Sequence, residues 1–410
     1  MSVAQSVFPS EPPAAVVQAE KSLSYNLAIG YLRAFVTVLV VAHHAVLAYF
    51  QYAPPPSSFT AEPRLWRAFP VVDTARWPGF TYLVGFNDVF FMSLMFFLSG
   101  LFVWNSLQRK GAGPFLRDRA WRLGLPFVAA AALIAPLAYY PAYLQATQSP
   151  TFVGYLRAWL SFRDWPAGPA WFIWLLLAFD CIAAALYRLS PNWGESIGRL
   201  TAGVARRPAA FFALLVTVSA AVYIPMSLAF TPYAWAALGP FTFQTCRLLH
   251  YFVYFVAGIG VGAWGIERGL LALDGKLARR WWLWLLRSQL AYPVVVAIVI
   301  AAAVAPARVT VWTTVGGFAF ALSCAASGFA CLAFFVRFAG KPRRMFDSLR
   351  DNAYGIYLVH YAFVAWVQYA LLPASMPGFA KGVIAFLGAL VLSWGTVAAL
   401  RKIPAVARVI

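Results

Sequence analysis

The chain has 410 residues, 62% of them hydrophobic and 11% charged, with a formal net charge of +19 and a mean hydropathy of +0.72. Soluble domains carry roughly a quarter of their residues as charges, so a soluble enzyme and a nucleic-acid-binding module are both excluded. A crossing takes about 20 apolar residues, and the length therefore admits about ten membrane helices with little left for a soluble domain.

Residues 1–26 open with a Pro/Ala-rich stretch that has no apolar core, so a disordered cytoplasmic tail is expected there rather than a cleaved leader. Ten apolar segments follow, at roughly 27–50, 87–107, 121–141, 171–188, 209–229, 247–265, 284–305, 309–336, 352–372 and 379–400. The expected fold is thus an all-α polytopic bundle over residues 27–404, with a short tail at 405–410. Even-numbered connections and the tails hold 23 Lys and Arg residues, against 8 in the odd-numbered connections. The positive-inside rule then places both termini in the cytoplasm, and the +19 becomes a topology signal. Two connections on the other side are long, 51–86 and 142–170, and mix Pro, Trp and Arg. They read either as lids and binding elements or as an aromatic belt at the headgroups. The four cysteines have no ligand spacing and read as packing residues. Gly258, Gly260 and Gly262 read as a close helix contact.

The first segment, "YLRAFVTVLVVAHHAVLAY", carries Arg33 and the adjacent pair His43 and His44. Ionisable groups inside a membrane are costly and mark functional positions. Arg33 and His44 differ by 11 residues, about 20° after three full turns, and lie about 16 Å apart along the axis. One helix face therefore carries a guanidinium suited to phosphate near the inner interface and an imidazole nearer the outer one. Burial keeps such an imidazole neutral and able to take a proton. The plainer alternatives are a topogenic arginine and a histidine bonded within the bundle.

Arg33-x10-His44 resembles the first-helix motif of the acyltransferase-3 family of integral membrane O-acyltransferases. "FFMSLMFFLSGLFVWNSL" is similar to that family's second-helix signature at Phe96, Phe97, Ser99 and Gly100. "FLRDRAWRLGLPF" is similar to its basic entry to helix three, with Arg119 and Arg122 at the R-x-x-R positions. "PAWFIWLLL" and "DNAYGIYLVHYAF", with Trp171 and His360, resemble two later segments. The landmarks come in family order over residues 27–365, and the short-loop layout looks most like the periplasmic-glucan succinyltransferase branch. Gly30 stands where the family often has Asp, and Leu101 where an aromatic is usual.

The resemblance implies transfer of an acetyl- or succinyl-like group from cytoplasmic acyl-CoA to a hydroxyl of a glycan or glycolipid at the outer face of a bacterial-type inner membrane, with no metal. Arg33, Arg119, Arg122 and Ser99 would serve the donor. His44 would act as general base or as a transient acyl carrier. Asp88 reads as a carboxylate partner for His44 or as a helix cap. His360 reads as a catalytic group that lines the channel or orients the thioester, or as hydrogen-bonded packing, and Trp171, Arg247 and His250 are candidates for the acceptor side. Asp180 and Arg287 both fall within apolar segments and could pair with each other, a structural role. Rival readings are a transporter or flippase of a polar substrate, which would move its cargo without consuming thioester, and a glycan polymerase, which would need a lipid-linked sugar.

Overall fold

The computed structural model describes residues 14–205 and 207–410. Helix α1 spans Ala14–Val46, starting upstream of the expected segment; residues 1–13 of the expected tail lie outside the described residues. There follow α2 (Gly79–Gly100), α3 (Val103–Lys110), α4 (Ala112–Arg119), α5 (Leu125–Ala129), α6 (Ala135–Ala146), α7 (Phe152–Ser161), α8 (Trp171–Leu189), α9 (Trp193–Ala205) and α10 (Pro208–Phe230). A two-stranded antiparallel hairpin, β1 (Trp235–Leu238) and β2 (Phe241–Gln244), precedes α11 (Leu248–Trp264). The chain closes with α12 (Lys276–Arg279), α13 (Trp281–Val304), α14 (Val309–Phe338), α15 (Arg344–Leu371), α16 (Gly378–Leu400) and α17 (Pro404–Ala407). This is an all-α polytopic bundle, with a helix over each of the ten expected segments.

Nine helical stretches among the described residues are long and apolar enough to cross a membrane. The tenth expected crossing, α15, is missing from that set for a physical reason. Its buried Asn352, His360 and Gln368 face protein and lower its hydropathy. Its depth follows from α1. Tyr31 donates to Asp347 at 2.7 Å, and His44 meets His360 at 3.1 Å. The step is 44 − 31 = 13 residues on one helix and 360 − 347 = 13 on the other, so α1 and α15 run parallel through the same depth. Helix α16 returns beside them: Lys381 reaches Asp73 near the end of α1, and Arg401 bonds the Asp351 carbonyl at the opposite end.

The glycines of the sixth segment bring two backbones together. A Cβ on Gly258 or Gly262 would stand 2.1 or 2.0 Å from the carbonyl oxygens of Phe97 and Leu101, so only glycine admits this contact of α11 with α2 and the turn after it. The third crossing is irregular, with π-helical turns at Ala120–Gly124 and Ala130–Ile134 between α4, α5 and α6.

The two long connections form a folded cap at the end of the bundle where α1 stops. Phe59, Trp66, Tyr139, Tyr155, Trp159 and Phe162 make a buried aromatic cluster, with Phe59 stacked on Trp66 at 4.5 Å. Asp164 pairs with Arg67 at 2.7 Å and Arg64 at 3.2 Å, and Gln145 holds both the N–H and the C=O of Val72. These aromatics form the buried core of the cap.

Candidate active site

At the end of the bundle opposite the cap lies a cavity of about 710 Å³. Arg33 on α1, Arg109 and Lys110 on α3, Arg119 and Arg122 at the entry to the third crossing, and Arg350 on α15 line it, against the two carboxylates of Asp118 and Asp180. Three of these cations already have carboxylate partners. Lys110 pairs with Asp118, Arg119 with Asp180 at 3.1 Å, and Arg350 with Asp347 and Asp351. Arg33, Arg109 and Arg122 have none among the described residues. Unmatched cations around an open cavity favour an anion, and the planar guanidinium suits phosphate.

The cavity wall changes with depth. Along α2 and α3 it runs from Met95 through Ser99 and Asn105 to Arg109; along α15 it runs from Tyr357 through Tyr354 to Arg350. The charged half lies at the basic end and the apolar half lies toward the cap. Ser99 lines the middle, its hydroxyl donating to the Met95 carbonyl at 2.8 Å. Gly30 is also part of the wall, and a Cβ there would meet the Arg350 side chain at 2.6 Å, so the Arg350 stem occupies the space that a larger residue would need.

Above the apolar half stand two histidines. His44 Nδ1 lies 2.9 Å from the Val40 carbonyl, and His360 Nδ1 lies 2.7 Å from the Tyr357 carbonyl. A carbonyl oxygen only accepts, so each Nδ1 carries the hydrogen. The neutral His360 then presents a lone pair at Nε2, which lies 3.1 Å from His44 Nδ1 and shares that hydrogen. The same tautomer leaves His44 Nε2 as a lone pair available to take a proton. His43 points elsewhere: its ring lies against Phe91 of α2, with centroids 5.2 Å apart. Between cavity and histidines stands Tyr357, one turn below His360, its hydroxyl donating to the Pro169 carbonyl.

A polar pair above an apolar throat, with anion-seeking groups below it, matches the landmarks read from the sequence. A family model described as an acyltransferase domain matches residues 26–398. The chain belongs to this acyltransferase family. It is therefore a multi-pass membrane acyltransferase, working with an acyl donor and an acceptor in a bilayer. No curated protein and no solved structure matches the chain.

The acyltransferase places the other expected site residues differently. Asp88 does not partner His44 and is not a cap. It lies mid-way along α2, where Arg247 donates to its carboxylate at 2.6 Å and to its backbone carbonyl at 2.8 Å. Arg247 thereby clasps α2 to the start of α11 through its two terminal nitrogens. His250 faces no open space, being 0% exposed and bonded to Ser93 at 3.1 Å, because α2 and α14 close over it. Asp180 pairs with Arg119 instead of Arg287, which lies over the Trp284 ring at 4.5 Å. Trp171 opens α8 and stands edge-on to Trp235 of the hairpin. The sequence reading missed Arg109 and Gln368. Arg109 looked like any loop cation, and a lone glutamine in an apolar run carries no signal of what it bonds.

Proposed function

We propose that this acyltransferase takes an acyl group from cytoplasmic acyl-CoA and transfers it to a hydroxyl of a glycan or glycolipid on the far side of a bacterial inner membrane. Here the basic end of the bundle is cytoplasmic and the capped end extracytoplasmic, as the distribution of Lys and Arg favours. The observation that carries the reading is the alignment of one unpaired cation, Arg33, and a proton acceptor, His44, along one helix face. Arg33 lines the cavity, and His44 stands about 16 Å farther along the same helix at 1.5 Å per residue.

Arg33, Arg109 and Arg122 would hold the donor's phosphates, with Arg119 beside them in its pair with Asp180. The apolar wall of Met95, Phe172, Ile173 and Tyr357 would take the uncharged arm. His44 Nε2 would remove the proton of the acceptor hydroxyl as its oxygen bonds to the thioester carbonyl carbon. The C–S bond breaks, and the proton passes to the departing sulfur. His360, bonded at Nδ1 of His44, would hold the ring in the required tautomer and share the positive charge that develops.

Incubation of the purified protein with acyl-CoA and a soluble glycan acceptor tests this. Free thiol should appear with stoichiometric ester on the glycan. Transport of a glycan across vesicles without thiol release would replace the proposal with a transporter.

A further inference from the structure

The end of α1 has an unusual hydrogen-bond account. The helix is α-helical to Val46 and then tightens into a 3-10 turn at Leu47–Tyr49. Such a change deprives the last α-helical carbonyls of their partners four residues on. The carbonyls of Leu47, Ala48 and Tyr49 are met by the N–H groups of Phe50, Asp73 and Trp77. Those of His44 and Ala45 are met by one side chain: Nε2 of Gln368 lies 2.9 Å from each oxygen. Both partners only accept, so the amide is oriented with its NH₂ toward them. Gln368 is 2% exposed and lies two turns beyond His360 on α15.

We infer that Gln368 is a positioning residue for His44, fixing the course of the turn that carries the two histidines and so presenting His44 to His360. This rests on the proposal that His44 is the base. The turn sits where a helix ends, and there the ring's direction depends on groups outside the helix. His360 sets the proton arrangement of the ring, while Gln368 sets the backbone that carries it. A residue's angular position changes by about 100° per step along a helix, so a shift of this turn exchanges what His43 and His44 face.

The test uses the purified full chain in detergent and the variant Gln368→Leu, which keeps the bulk and removes both donors. Diethyl pyrocarbonate labelling, read by mass spectrometry as the ratio of modified His44 to modified His43, reports the turn without relying on turnover. The ratio should change several-fold, and kcat should fall by on the order of 10²-fold, with the KM for acyl-CoA unchanged. The double variant Gln368→Leu/His44→Ala should be no slower than His44→Ala alone. An unchanged labelling ratio, or an additive double variant, overturns the inference. If Gln368→Leu does not fold, Gln368→Asn keeps both donors on a shorter stem and should show a smaller change of the same two readouts; no change in either overturns the inference. A wild-type protein that labels normally but consumes no acyl-CoA would overturn the enzymatic reading alone, since the labelling ratio still decides the role of Gln368.

Discussion

At the basic end of the bundle, Arg33, Arg109 and Arg122 face a cavity with no carboxylate partner among the described residues. At the capped end four buried or half-buried cations are matched, Arg247 by Asp88, Lys381 by Asp73, and Arg64 and Arg67 by Asp164, while half-buried Arg76 donates to the Phe50 carbonyl. The same residue types hold the fold together at one end and leave binding capacity open at the other. A paired cation loses its interaction energy only when the structure opens. An unpaired one keeps that energy for a ligand. The difference tells which arginines should respond in a binding assay and which in a melting curve.

The comparison can be broken hardest at the histidines, which stand between the two ends. His44→Ala should reduce turnover by about 10²–10⁴-fold, the usual range for losing a general base, while coenzyme A binding by calorimetry stays intact. His43→Ala, whose ring packs on Phe91, should retain measurable turnover. Turnover that survives His44→Ala and vanishes in His43→Ala would reverse the assignment.

Next in size is the capped end's ion pair between Lys381 and Asp73, whose side chains are each 3% exposed. Lys381→Met strands a buried carboxylate and should lower stability by about 3–5 kcal/mol. Donor affinity in the fraction still folded should be unchanged. Adding Asp73→Asn should restore part of the loss. A melting temperature unaffected by the single variant would show that the carboxylate finds water there.

At the basic end, Arg33→Ala should weaken coenzyme A binding by about 1.5–3 kcal/mol, the scale of a charge-assisted hydrogen bond, and leave the melting curve where it was. Arg119→Ala should do both, because it also leaves buried Asp180 unmatched. Asp180→Asn on that background should recover the stability and not the affinity. Equal melting losses in Arg33→Ala and Arg119→Ala would erase the distinction between paired and unpaired cations.

The smallest effect belongs to the cap's surface clasp. Burial pushes the Asp164 carboxyl up, but the hydrogen bond from Arg67 and the charges of Arg67 and Arg64 outweigh it and hold it below the usual carboxylate range. The clasp therefore contributes fully above the ordinary carboxylate range, and its contribution is lost as pH falls through the depressed value. For a partly exposed pair this is about 1 kcal/mol at most. Protease cleavage in the cap should rise on acidification in the wild type and show a flatter profile in Asp164→Asn.

Much of this was legible in the residues themselves. Apolar runs of bilayer length give crossings wherever they occur, because an unpaired backbone group in hydrocarbon forces a helix. The phase of Arg33 and His44 follows from helical geometry alone, since α1 is unbroken α-helix between them. The glycines of α11 announced a close contact, although not that Phe97 and Leu101 would supply it. Partnership was not legible. Asp88 could have served His44 or capped a helix and instead holds Arg247, while Asp180 chose Arg119 over Arg287. Each pairing joins residues far apart in sequence, fixed by which helices pack and at what rotation. His44 Nδ1 also meets His360, 316 residues away, and the carbonyls of the turn that carries it meet Gln368. Local sequence determines what a group can do. Only the packed bundle decides which groups remain free to do it, because a hydrogen bond or ion pair is satisfied within a few ångströms, whatever the distance along the chain.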